Sequence, residues 1–139
     1  MSKLRFLLFP FSFIYGFVTL FRNKLFDWGI FKVYEIPVKS ICVGNLSVGG
    51  TGKSPMVIKL VEEFHSQKNI VVLSRGYGRK SKGFQLVANE NNILLNVNEA
   101  GDEIYLVADE CKVPAAVSEK RVIGAKKFIE NIDLDILVL

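Results

Sequence analysis

Ser47-Val48-Gly49-Gly50-Thr51-Gly52-Lys53-Ser54 lies between an apolar run, Ser40 to Val43, and an amphipathic stretch, Lys53 to about Gln67. A phosphate-wrapping loop reads G-x-x-x-x-G-K-[ST], and the segment fits everywhere except the first position, where Ser47 replaces glycine. Gly49, Gly50 and Gly52 let backbone N–H groups turn inward onto phosphate oxygens, which a Cβ would obstruct. Lys53 is expected to reach the β- and γ-phosphates as a point charge, and the Ser54 hydroxyl to hold Mg²⁺. A helix opening at Lys53 aims its positive end at the same anion, and Pro55 fits early in that helix, where its missing N–H costs little. The plainer reading is a glycine-rich turn with an incidental lysine. The strand before the loop and the helix after it favour the phosphate loop, so Ser47, Val48, Gly49, Gly50, Thr51, Gly52, Lys53 and Ser54 are the expected nucleotide-binding residues.

Outward from the loop, strands and helices alternate. The helix from Lys53 carries Val57, Leu60, Val61 and Phe64 as an apolar stripe. Ile70 to Leu73 has strand length. Phe84 to Ala88 and Ile93 to Val97, separated by Asn89-Glu90-Asn91-Asn92, read as a hairpin. Asp102 to about Cys111 is expected to be helical, Pro114 to Val117 a short strand, and Arg121 to Asn131 a helix with Val122, Ala125 and Ile129 at helical spacing. Ile136 to Leu139 is a last apolar strand. The alternation predicts an α/β fold, a P-loop NTPase-like, mostly parallel sheet with flanking helices, over residues 37–139.

Residues 1–36 differ in composition. Phe6 to Phe21 holds no charge and is flanked by Lys3, Arg5, Arg22 and Lys24. About 16 helical residues at ~1.5 Å each span roughly 24 Å, short of the ~30 Å hydrocarbon core. Pro10 and Gly16 weaken the run further as a spanning helix. Ser12, Gly16, Thr19 and Asn23 share one helical face with Arg5, leaving Phe, Leu and Ile to enter lipid, and Trp28 follows. A spanning helix or uncleaved signal anchor and a buried core helix are the competing readings. A cleaved secretory signal lacks its A-x-A-like site. The expectation is a membrane-surface helix.

Hydrophobic residues make up 50% and charged ones 23% of the 139 residues, a globular rather than disordered balance. The net charge of +4 suits an anionic partner without selecting one. No basic face with interleaved aromatics speaks for nucleic acid, and no protein partner is implied. Cys42 and Cys111 lack metal-type spacing, and Cys42, between Ile41 and Val43, reads as a small buried hydrophobe. His65, the sole histidine, reads as surface.

Gly44 to Pro55 (GNLSVGGTGKSP), Leu73 to Arg79 (LSRGYGR) and Gly101-Asp102-Glu103 together resemble the lipid A 4'-kinase (tetraacyldisaccharide 4'-kinase) family, with a likeness that covers nearly the whole chain. Ser47 at the first loop position is what that family has. The resemblance implies transfer of the ATP γ-phosphate, with Mg²⁺, to the 4'-hydroxyl of a tetraacyldisaccharide 1-phosphate, a lipid A precursor. It also implies a peripheral location on the cytoplasmic face of a bacterial inner membrane. Asp102 matches the family's catalytic aspartate, accepting or orienting the sugar hydroxyl proton; the plainer reading is a helix N-cap. Ile104 stands where the family usually has proline. Arg75, Tyr77 and Arg79 follow a strand end, where α/β sheets place ligands, and are expected to meet the substrate's phosphate and sugar; the plainer reading is a solvated basic loop whose glycines serve only the turn. Arg121 resembles a substrate-contacting arginine, with a solvated helix-start arginine as the competing reading, and Asn45 either contacts substrate or braces the loop.

P-loop enzymes place a second acidic group at the end of an apolar strand to organise Mg²⁺. Asp133 and Asp135 stand at the wrong end of the last strand for that role, and the resemblance implies an Asp-Asp-Gly-Phe-Gln-His motif after Leu139. The 139 residues are therefore expected to be an N-terminal portion that binds nucleotide weakly and turns over poorly alone. The rival readings are a membrane-tethered nucleotide-binding switch or ATPase without a lipid substrate, and a single-pass protein with a soluble interaction module. The first lacks an Asn-Lys-x-Asp guanine-reading segment, and the phosphate loop opposes the second.

Overall fold

The computed structural model describes residues 2–44 and 52–139, with side chains from Phe11 onward. The expected nucleotide contacts at Ser47 to Thr51, and Asn45, lie outside the described residues. The chain divides into two compact units, Met1–Glu35 and Ile36–Leu139.

The first unit is built on α1 (Ser2–Asp27), a 26-residue helix. It extends past the uncharged run at both ends and continues through Pro10. Phe11, Phe13, Ile14, Tyr15, Phe17, Val18, Leu20 and Phe21 are all exposed, and so is Trp28 beyond the helix end. The Thr19 hydroxyl lies 2.9 Å from the Tyr15 carbonyl and 2.8 Å from that of Gly16, so its donor is satisfied within the helix. Among the described residues no helix is long and apolar enough to cross a membrane.

The second unit is a five-stranded sheet in the order β1-β5-β2-β4-β3, made of β1 (Lys39–Ile41), β2 (Ile70–Ser74), β3 (Gln85–Ala88), β4 (Ala115–Val117) and β5 (Ile136–Val138). β1, β5, β2 and β4 pair in parallel, and β3 joins β4 antiparallel at the edge. The α/β, mostly parallel expectation therefore holds. Side chains alternate through the sheet as the strand period requires. Ile70, Val72, Ile136 and Val138 pack on one face with Val61 of α2 (Lys53–His65) and Ile104 and Val107 of α4 (Asp102–Cys111). Val71, Leu73 and Leu137 pack on the other with Ala125 and Phe128 of α5 (Arg121–Asn131). A sheet covered by helices on both faces explains the nearly continuous apolar runs of its central strands.

Three local expectations change. The hairpin shrinks to β3 and a single bridge between Ala88 and Ile93, because Asn96 and Glu99 form a reciprocal capping box that starts α3 (Val97–Ala100). On α2, Phe64 is exposed and Ile58 packs on the core instead. Cys42 is exposed rather than buried, because β1 is an edge strand that ends at Ile41.

Candidate functional site

At the carboxyl ends of β1, β2 and β5 lies a cleft of about 440 Å³. Val43 and Gly44 follow β1, Ser74 and Arg75 close β2, and Val138 and Leu139 end β5. Parallel strands deliver their chain ends and the starts of the following helices to this side of a sheet, so ligand sites collect there. Lys53 and Ser54 enter from the first turn of α2, Glu103 and Ile104 from the first turn of α4, and Arg121 from the first residue of α5.

The starts of these helices share a property. Gly52 precedes α2, Gly101 precedes α4 and Lys120 precedes α5, and none caps its helix with a side-chain hydrogen bond. A helix start leaves backbone N–H groups unsatisfied and carries a partial positive charge. Those of α2 and α5 are thus open to an anion, whereas the first turn of α4 carries Asp102 and Glu103 and α3 is closed by its capping box. Asp102 is the first residue of α4 and not its cap. Its Oδ1 accepts from the Glu103 backbone N–H at 3.0 Å, and the side chain is exposed, one residue before the cleft-lining Glu103.

Lys53, Arg75 and Arg121 all line the cleft, and none has a carboxylate partner within ion-pair distance among the described residues. Arg121 Nη1 approaches Cys42 Sγ at 3.9 Å, and its buried Nε has no partner among the described residues. Tyr77 also lines the cleft and is 75% exposed. The cleft therefore assembles Lys53, Ser54, Arg75, Tyr77 and Arg121, with Asp102 beside it. Glu103 was not singled out by the sequence, although it is the neighbour of Asp102 in Gly-Asp-Glu.

Arg79 departs from its expected place. It is not among the residues of the cleft, and its side chain is only 2% exposed. Nη2 lies 2.6 Å from Glu119 Oε1 and 2.6 Å from the Gly83 carbonyl, and Nη1 donates to Ser81 Oγ at 2.9 Å. Glu119 Oε2 also accepts from the Gly83 N–H at 3.1 Å. The Glu119 carboxyl is held below its ordinary value by its own backbone N–H first, then by Arg79 and the Gly83 N–H. Asp135 is likewise committed elsewhere, accepting from the Asn69 N–H at 3.0 Å at the amino end of the sheet. Among the described residues no group of acidic, cysteine or histidine side chains is placed to hold a metal ion by itself.

A mostly parallel α/β sheet covered by helices on both faces, with a lysine at the opening of the first sheet helix, is the framework that P-loop proteins share. The family model described as tetraacyldisaccharide-1-P 4'-kinase matches residues 4–139. The chain belongs to that family. It is 43% identical to the tetraacyldisaccharide 4'-kinase of Cytophaga hutchinsonii, across 100% of this chain and 39% of that protein. It is 42% identical to that of Aquifex aeolicus, across 98% of this chain and 43% of the relative. The crystal structure of LpxK from Aquifex aeolicus in complex with ATP superposes with a TM-score of 0.84 at 42% identity, again covering 98% of this chain and 43% of the other. The chain spans about two fifths of the length of these relatives.

Proposed function

We propose that this chain is the nucleotide-binding part of an ATP-dependent kinase that phosphorylates the 4'-hydroxyl of a tetraacyldisaccharide 1-phosphate, in the synthesis of lipid A. One observation carries the reading. The uncapped starts of α2 and α5 meet Lys53, Arg75 and Arg121, which have no carboxylate partner among the described residues, in one cleft, an arrangement suited to several phosphate groups at once.

The residues present fit ATP. Lys53 and the open N–H groups of α2 face the side on which the β- and γ-phosphates would lie, with the Ser54 hydroxyl beside them as the metal-binding group. Mg²⁺ bound there would supply neutralisation of the charge on the phosphate oxygens. Phosphoryl transfer asks of a protein mainly positioning and charge stabilisation, so each role falls to an ordinary side chain. Asp102, exposed and engaged among the described residues by its neighbour's N–H, accepts the proton of the attacking hydroxyl or orients it. Arg75 and Arg121 hold the anionic acceptor, and Tyr77 presents an aromatic face and a hydroxyl to its sugar. Asn45 and Ser47 to Thr51 complete the contacts on the loop.

An acceptor with four acyl chains resides in a bilayer, and the exposed apolar side chains of α1 support docking on its surface. Phe13 and Phe17 enter the interface, while Arg22 and Lys24 meet anionic head groups. We place the protein peripherally on the cytoplasmic face of the inner membrane.

The test is ³²P transfer from ATP to tetraacyldisaccharide 1-phosphate in detergent–lipid micelles, with the chain extended to the full length of its relatives. Lys53→Ala is expected to weaken nucleotide binding on the order of 10- to 100-fold, the loss of a charged hydrogen bond. Asp102→Ala is expected to abolish transfer while leaving nucleotide affinity unchanged. No transfer by the wild type, with nucleotide still bound through Lys53, would replace the kinase with a membrane-tethered nucleotide-binding protein.

A further inference from the structure

Arg79 has the connections of a part that holds other parts in place. Its guanidinium joins its own turn, through Ser81 and Gly83, to Glu119, 40 residues away and two before Arg121. Ser81 passes the link on, its hydroxyl donating to the Glu99 carbonyl of α3 at 2.5 Å. Beside it the Lys80 N–H donates to the Asn98 carbonyl at 2.8 Å. The chain then turns through Gly101 into Asp102.

The packing follows the same path. The Arg79 stem crosses Gly76 so closely that a Cβ there would stand 2.4 Å from Arg79 Cδ. On the other side a Cβ at Gly101 would lie 3.2 Å from the Tyr77 carbonyl oxygen. Both glycines have positive φ, +68° and +93°, so a side chain would be strained there as well as crowded. The Arg75–Tyr77 turn is thus held between Arg79 behind it and the start of α4 beside it. α2 packs on α4 through Val61, Ile104 and Val107, but among the described residues no hydrogen bond of the Arg79 network reaches Lys53 or α2.

We propose that Arg79 is a positioning residue for the acceptor side of the cleft. Through Glu119 and Ser81 it sets the spacing among Tyr77, Asp102 and Arg121 while leaving the nucleotide side alone. The word acceptor rests on the kinase reading above; the coupling of the three segments does not. A planar guanidinium serves Glu119, Gly83 and Ser81 together, and a lysine ammonium keeps the charge without that fork.

The first measurement is amide hydrogen exchange on Arg79→Lys and Glu119→Gln, beside nucleotide affinity. Exchange is expected to accelerate on the order of tenfold at 98–103 as well as at 76–83, with the affinity for ATP within about twofold of wild type. The double variant is expected to cost less than the sum of the two single ones. In the extended protein, kcat/KM for the lipid acceptor should fall by roughly 10- to 100-fold with KM for ATP unchanged. If Arg79→Lys fails to fold, Glu119→Gln, which keeps the shape, decides the matter alone. Unchanged exchange at 98–103, or a loss of ATP affinity in step with the melting temperature, overturns the proposal. So does full acceptor turnover in a folded Arg79→Lys protein. A wild type without acceptor turnover would remove the kinase reading, and the exchange result would still decide the coupling.

Discussion

Arg75 and Arg79 lie four residues apart in one glycine-rich turn, with opposite surroundings. Among the described residues Arg75 lines the cleft without a carboxylate partner, while Arg79 is covered and spends its guanidinium on Glu119, Ser81 and Gly83. Nothing local in the sequence separates them, because the group that captures Arg79 is 40 positions downstream. Lys53 and Ser54 were singled out by the phosphate-loop motif and Arg121 by the family resemblance, and all three line the cleft. The cysteines also part company. Cys42 is exposed beside Arg121, whereas the Cys111 thiol is pushed up by its burial first and then by Glu62 and Glu110. The thiolate is the reactive form, so iodoacetamide at neutral pH should modify Cys42 well before Cys111. Mass spectrometry of the labelled peptides checks this, and bound ATP should slow the reaction at Cys42 if the nucleotide shares the cleft.

At the scale of elements, the helices were legible from their periodicity and the hairpin was not. Ile93 to Val97 alternates well enough for a strand, but Asn96 followed by Glu99 is a capping box, and it redirects the chain into α3. That pattern was readable; its competition with the strand is a matter of which partners are near. The contact of α5 with β2 depends on a residue whose merit is what it lacks. A Cβ on Gly124 would stand 2.7 Å from Leu73 Cδ1 and 3.1 Å from Ser118 Cβ, and Leu73 is fully buried. Gly124→Ala gains about 1 kcal/mol of helix propensity but overpacks the core, which costs typically 1–3 kcal/mol. A net loss of about 1 kcal/mol is expected, read as a lower urea midpoint at unchanged m-value. A stabilised variant would mean that α5 shifts freely on the sheet.

For the whole molecule, hydropathy marked residues 6–21 as unusual, and the described structure leaves the apolar side chains from Phe11 onward uncovered. Burying one phenylalanine contributes about 1.5–3 kcal/mol. Phe13→Asp with Phe17→Asp should therefore lower partition onto anionic phosphatidylglycerol vesicles by at least tenfold, measured by co-sedimentation. Undiminished binding would remove α1 as the membrane contact. The sequence by itself determined the alternation of strands and helices and the family, because periodicity and motif spacing are local quantities. Only the tertiary structure decided the strand order β1-β5-β2-β4-β3, the convergence of uncapped helix starts and the diversion of Arg79 from substrate to scaffold. Each of these depends on pairing between residues far apart in the chain, whose energies appear only once the sheet has brought them together.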